Sequence, residues 1–195
     1  MRIVINLLLF ALIIGLGYLM YANIKEPIAF KAEKEKRERA VVDKLKKIRT
    51  AQEHYRSITG SFANSFDSLA HVLKTGQFMV INVQGDPDDP NFDPSMITYD
   101  TVYFPAFDSI RSLGINVDSL PYVPYGEGAT FDIQADTLTY QKTLVNVVEV
   151  GVLRKVFMGD YADARFSKYD NGYNPNSRIK FGDMNTPNTA GNWER

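Results

Sequence analysis

An apolar run near the N-terminus constrains the fold of this chain more than any other feature. Between Ile3 and Ala22 the only polar side chain other than the tyrosines is Asn6. A helix needs about 20 apolar residues to cross the ~30 Å hydrocarbon core of a bilayer, so the sequence predicts a transmembrane anchor at residues 1–24. A cleavable signal peptide is the alternative, but Met20 stands where a cut after Ala22 would want a small residue.

The segment that follows is basic and helical. Lys25 to Arg49 holds ten basic residues against five acidic ones, whereas Thr50 onward holds eleven against eighteen. We predict a basic amphipathic helical stalk at residues 25–60, with residues 34–39 as a solvated face, and we expect anionic lipid head groups to attract it. The acidic remainder of the chain would repel phosphate, which argues against nucleic acid as a partner.

One face of the predicted stalk is apolar. Its residues recur at helical spacing, with Gln52 in the one polar position: Val41, Leu45, Ile48, Tyr55 and Ile58. This stripe is too short for a stable long coiled coil, so we expect Tyr55 and Ile58 to pack against the domain that follows. Pro27 can kink or restart the helix, Gly60 can end it, and Ser65 or Asn64 can cap a short helix near Phe66–Leu73.

Residues 61–195 form the third predicted region, a β-rich globular domain with an irregular C-terminal tail. The segments with strand character are 78–84, 97–104, 129–135, 138–142 and 144–152. Asp136-Thr137 separates two of them and predicts a hairpin turn there. The fold class is therefore α+β: a transmembrane helix, a helical stalk, then an antiparallel β-rich domain.

Aromatic residues in the tail predict order there, because disordered segments are poor in them. Tyr173 and Trp193 are the candidate partner-binding residues, since exposed aromatic side chains often dominate interfaces. For Trp193 we favour the other interpretation, that it closes the edge of the protein's own core.

An acidic loop is the one candidate metal site. Asp86, Asp88, Asp89 and Asp93 lie close together in the chain, and Ca²⁺ prefers several such oxygen ligands. The loop lacks the spacing of an EF-hand, and its prolines favour a stiff acidic turn instead. No other cofactor is predicted.

No recognised catalytic motif is present in the sequence. The chain has no cysteine, no GxSxG elbow and no P-loop, and its two histidines are not spaced as a metal-ligand pair. We therefore expect a protein that is not an enzyme.

The strings Lys44–Tyr55, Ile58–Ala63 and Ser65–Leu69 resemble the pilin and pseudopilin family. That resemblance implies a membrane helix running into an amphipathic one, then a tyrosine, a glycine, an aromatic residue and a short capped helix. The chain also resembles uncharacterised single-pass envelope proteins of Bacteroidetes, through residues 48–69, 85–90 and 182–184.

These features favour a single-pass protein of the bacterial inner membrane that serves as a non-enzymatic scaffold or assembly subunit of a larger complex. The alternative is a membrane-tethered ligand-binding or sensory module that uses the acidic loop. The polar composition after Thr50 favours a periplasmic domain, whereas the positive-inside rule, counted on the stalk, favours a cytoplasmic one. We expect the periplasmic orientation.

Overall fold

The computed structural model describes residues 2–84 and 98–194. Its helices are α1 (Arg2–Thr59), α2 (Phe66–Thr75), α3 (Ala106–Ser112) and α4 (Arg154–Met158), and its strands are β1 (Gln77–Gln84), β2 (Thr98–Pro105), β3 (Asp132–Tyr140), β4 (Thr143–Leu153) and β5 (Arg178–Gly182). A long N-terminal helix thus precedes a strand-rich domain with antiparallel pairing. This mixture of helix and antiparallel sheet was predicted.

Helix α1 is 58 residues long and runs through Pro27 without a break. At 1.5 Å per residue it is about 87 Å long. It ends before Gly60, which has φ +82° and donates its N–H to the Arg56 carbonyl. The next helix, α2, starts at the predicted cap, where the Ser65 hydroxyl accepts the N–H of Ser68 at 3.2 Å.

The second half of α1 is a core element. The fully or nearly fully buried residues on its inner face are Phe30, Val41, Leu45, Ile48, Ala51, Gln52 and Tyr55. Ile58 is partly buried against the same core, so the expected packing of Tyr55 and Ile58 is confirmed. From Phe30 onward the predicted stalk is therefore packed on the globular domain, because its apolar face is buried there.

Gln52 is buried with both ends of its amide satisfied. Its Nε2 donates to the Ala63 carbonyl and its Oε1 accepts the Ala63 N–H, each at 2.9 Å. A buried amide without partners would be costly, so this reciprocal pair explains how a polar residue fits in the apolar stripe. It also holds the turn after α1 against the helix.

A three-stranded antiparallel sheet packs on α1 in the order β3-β4-β5. The central strand β4 buries Val148, Val150 and Val152, and β5 adds Ile179 and Phe181. The sequence analysis missed β5, which lies in the tail predicted to be irregular. It has only five residues between turn-forming segments, too few for a clear alternating pattern.

The hairpin turn between β3 and β4 lies elsewhere than predicted. Asp136 and Thr137 pair with Val147 and Asn146 in the middle of continuous strands, so the predicted turn there is wrong. The chain reverses at Gln141-Lys142, whose φ values are +47° and +69°. Two positive φ values in a two-residue loop characterise a type I′ turn, which matches the twist of the flanking strands.

Replacing Lys142 with glycine should stabilise the protein. Lys142 has positive φ, which costs a residue with a Cβ about 1–2 kcal/mol, and part of this is offset by the greater freedom of glycine in the unfolded chain. We expect Lys142→Gly to raise the free energy of unfolding by about 0.5–1 kcal/mol, measured by denaturant titration.

Thr137→Gly is the matched control. In mid-strand it should lower the free energy of unfolding by a similar amount and remove the hydrogen bond from Thr137 to Asn146. If Lys142→Gly instead lowered the free energy of unfolding and Thr137→Gly raised it, the turn would lie at Asp136-Thr137.

Candidate membrane-proximal junction and exposed ribbon

The first part of α1 is apolar and uncovered. Every Ile, Leu, Val, Phe, Met and Tyr side chain from Ile3 to Tyr21 is more than half exposed, and the best 18-residue window has a mean hydropathy of 2.5 with none of its residues buried. Among the described residues, α1 is the one helix long and apolar enough to cross a membrane.

Eight residues beyond Ala22, α1 enters the core at Phe30. This ring is fully buried among four other aromatic rings that come from the C-terminal part of the chain. The set, which we call the aromatic junction, consists of Phe30, Tyr161, Phe166, Tyr169 and Tyr173. The Phe30 ring stacks on Phe166 at 5.1 Å between centroids and meets the edge of Tyr173 at 5.0 Å. The part of the domain that holds the other four rings, residues 161–173, is thus packed directly on α1 close to the end of the apolar run. We call this part the base of the domain.

Polar contacts surround the aromatic junction. The Tyr169 hydroxyl donates to the Glu26 carboxylate, and Lys34 Nζ donates to the Asp170 carboxylate at 2.6 Å. The Lys34 ammonium holds the pKa of Asp170 below its usual value, with help from the Gly172 N–H. These contacts join the first turns of α1 after the apolar run to residues more than 130 positions away.

Charged residues further along α1 also bind the domain. Glu38 pairs with Arg154 at 2.7 Å, and Arg37 donates to the Phe157 carbonyl at 2.8 Å. The expectation that residues 34–39 form only a solvated face is therefore wrong, because Lys34, Arg37 and Glu38 are half-buried against the domain. Arg39 fits the expectation, being exposed and paired within the helix to Glu35.

The structure places the two predicted partner-binding residues in different surroundings. Tyr173 is 2% exposed; its hydroxyl donates to the Tyr161 carbonyl, and burial raises its pKa. Trp193 is half-buried with its ring against Gly191, where an added Cβ would lie 2.3 Å from the ring. Tyr173 thus has almost no surface left for a partner, and Trp193 covers the edge of the core while keeping part of its ring accessible.

The predicted calcium ligands Asp86, Asp88, Asp89 and Asp93 lie outside the described residues. Within residues 2–84 and 98–194, no group of three or more His, Asp or Glu side chains could hold a metal ion. The calcium hypothesis stays a prediction.

Sequence reasoning missed a second exposed apolar surface. β1 and β2 form a separate two-stranded antiparallel sheet, which we call the ribbon. Its large side chains are about half exposed on both faces: Met79 and Ile81 with Tyr103 on one face, and Val80 with Phe104 on the other. The alternation of β1 was visible in the sequence, but nothing there indicated that large side chains on both faces would be about half exposed.

The ribbon begins near the C-terminal end of α1. The rings of His54 and Phe78 are 5.3 Å apart, and Ala106 next to β2 donates its N–H to the Gly76 carbonyl. Between Gln77 and Gln84, β1 has no charged residue, proline or glycine. Natural edge strands are usually protected by such residues, and within residues 2–84 and 98–194 β1 has no strand partner other than β2.

No protein-family model, curated protein or solved structure matches this chain. The resemblance to pilins and to Bacteroidetes envelope proteins therefore stays an expectation.

Truncating Phe30 tests the aromatic junction. Phe30→Ala should lower the free energy of unfolding by about 3–5 kcal/mol, because a fully buried ring leaves a cavity. The measurement is a thermal melt of the full chain in detergent. Ile28→Ala on the same helix, at a side chain 64% exposed, should change stability little. Equal effects of the two variants would contradict the packing described for Phe30.

Removing the charge of Asp170 should make the free energy of unfolding vary less with pH in the acidic range. Because the folded pKa of Asp170 lies below its ordinary value of 3.8, its ion pair contributes stability above that value and loses it as pH falls through the folded pKa. Asp170→Asn keeps an acceptor for Gly172, so we expect a loss of about 0.5–1 kcal/mol near neutral pH that shrinks below about pH 4.

The measurement is denaturant unfolding of both proteins across that pH range. Asp160→Asn, at an exposed carboxylate with no ion pair among the described residues, is the control. A pH-independent difference between Asp170→Asn and the parent would rule out the charge as its cause.

Proposed function

We propose that this protein is a single-pass protein of the bacterial inner membrane whose domain lies in the periplasm and serves as a non-enzymatic assembly subunit of a larger membrane complex. The observation that carries this proposal is the continuity of α1. One helix has an uncovered apolar half and then a half that forms the core of a domain. A helix of this kind fixes a folded domain at a membrane.

The ribbon supports the assembly role. An isolated two-stranded sheet is marginally stable in water, and its exposed apolar faces are expensive to leave uncovered. Among the described residues β1 pairs with β2 alone, so an added strand would pair with its other edge and cover the exposed side chains of Met79 and Ile81. The occupant we propose is an extended, uncharged strand of another polypeptide chain, bound by β-augmentation.

The membrane that holds α1 is a poor alternative occupant for the ribbon. His54, the α1 residue beside the start of the ribbon, lies 32 residues beyond Ala22, about 48 Å along the helix. An eight-residue strand is only about 27 Å long. Even folded back along α1, the ribbon would end well above the bilayer, so a protein is the better candidate.

Carbonate extraction tests membrane insertion. The full chain should stay with the membrane after the wash, because residues 3–22 would span the bilayer. Release of the intact chain would contradict the proposal, and a chain starting near residue 23 would indicate a cleaved signal peptide. Digestion of the domain by protease in intact spheroplasts would support the periplasmic orientation, whereas protection until lysis would place it in the cytoplasm.

Cysteine cross-linking tests the ribbon. The chain has no cysteine, so Ile81→Cys introduces a single thiol on β1. With a thiol-reactive cross-linker in native membranes we expect a discrete adduct, either of two copies or of one copy with another protein. Leu144→Cys, at a residue 73% exposed on β4, is the matched control and should give no such adduct. Equal labelling patterns for both variants, or none for either, would sink the assembly role of the ribbon.

A further inference from the structure

The base of the domain carries a set of cations that come from two distant parts of the chain. We call it the basal face and define it by Lys25 and Lys31 on α1 with Arg165 and Lys168 on a 3₁₀ segment, Ala164–Tyr169. All four side chains are exposed, and none forms an ion pair with another described residue. Lys34, in contrast, forms an ion pair with Asp170.

Aromatic rings hold two of these cations, Arg165 and Lys168, in place. The Arg165 guanidinium lies 4.6 Å from the centroid of Phe166, and Lys168 Nζ lies 4.5 Å from that of Tyr169. Both rings belong to the aromatic junction, where they pack against the buried Phe30. The two cations are therefore presented by a fixed part of the core, which reduces the entropy lost on binding.

The height of the basal face matches the head-group layer. The 3₁₀ segment that carries Arg165 and Lys168 contacts α1 at Glu26 and Phe30. These residues lie four and eight positions beyond Ala22, about 6 and 12 Å along the helix. Head groups extend about 5–8 Å beyond the hydrocarbon on each side, and charges interact over a Debye length of about 8 Å. Lipid phosphates would lie within reach of these side chains.

Acidic residues near the basal face reduce its charge without cancelling it. Glu26 accepts a hydrogen bond from Tyr169, and Asp170 is neutralised by Lys34. Asp160 and Asp163 are exposed on the same part of the chain. Against the four cations this leaves a small positive surplus on the side of the domain that faces the membrane, although the chain from Thr50 onward is acidic.

We propose that the basal face binds the anionic head groups of phospholipids in the membrane that α1 spans, and so holds the domain against the bilayer. The proposal rests on the membrane insertion proposed above. Each cation near an anionic surface contributes about 1 kcal/mol, which corresponds to about a fivefold change in binding. Arg165 and Lys168 distinguish this site from simple attraction to the basic helix, since the fold brings them there.

The test uses the full chain in nanodiscs of phosphatidylcholine with or without phosphatidylglycerol. A nitroxide at Ala164→Cys, an exposed position in a chain without cysteine, reports access of a water-soluble relaxation agent. We expect access to fall when phosphatidylglycerol is present and to recover in high salt, because the attraction is screened. Inorganic phosphate added to neutral nanodiscs should have no such effect if the ligand is the lipid surface.

Charge variants give the second readout. Lys168→Glu and Arg165→Glu should each reduce the phosphatidylglycerol retained in native mass spectrometry by about fivefold or more, and Lys168→Arg should retain it. Arg111→Glu, an equal charge change at an exposed residue of α3, is the control. Equal access in both lipids, or equal retention by Lys168→Glu and Arg111→Glu, would overturn the proposal. Membrane insertion without lipid dependence would contradict only the binding of head groups by the basal face. Failure to insert would contradict the proposed function itself.

Discussion

The packing of Phe30 among four aromatic rings is the contact on which the rest of the structure depends. It joins α1, eight residues beyond the apolar run, to segments near the C-terminus, and the pairs Lys34–Asp170 and Glu38–Arg154 extend the joint along the helix. Without this contact the first turns of α1 after the apolar run would lose their aromatic packing on the domain. With it, the helix that leaves the apolar run is already inside a folded core.

Much of the architecture could be predicted because local chemistry determines it. The length and composition of residues 3–22, the stripe from Val41 to Ile58 and the Ser65 cap depend on near neighbours in the chain, and all three appear in the structure as expected helix features. Burial of Gln52 was not foreseen, although its place in the stripe was. Its partner Ala63 lies eleven residues away, and only the folded turn brings them together.

The missed features depend on contacts between distant residues. Asp136-Thr137 looked like a turn, but pairing with β4 holds those residues extended and moves the reversal to Gln141-Lys142. The charged residues 34–39 looked solvated because Asp170 and Arg154 are more than 110 positions away from them. The basal face was half visible, through Lys25 and Lys31, whereas Arg165 and Lys168 reach it only through the aromatic junction. Tertiary context decided each of these cases.

Helix α1 passes from the apolar run into the core without a linker, so no flexible segment separates the apolar run from the domain. Ala22 and Thr59 are 37 residues apart, so the distal end of α1 lies about 55 Å beyond the apolar run. Transmembrane helices tilt by about 20° on average, and a change of only ~10° would move that end sideways by roughly 10 Å. In the membrane-spanning arrangement proposed above, the helix would convert a difference in bilayer thickness into a displacement of the ribbon.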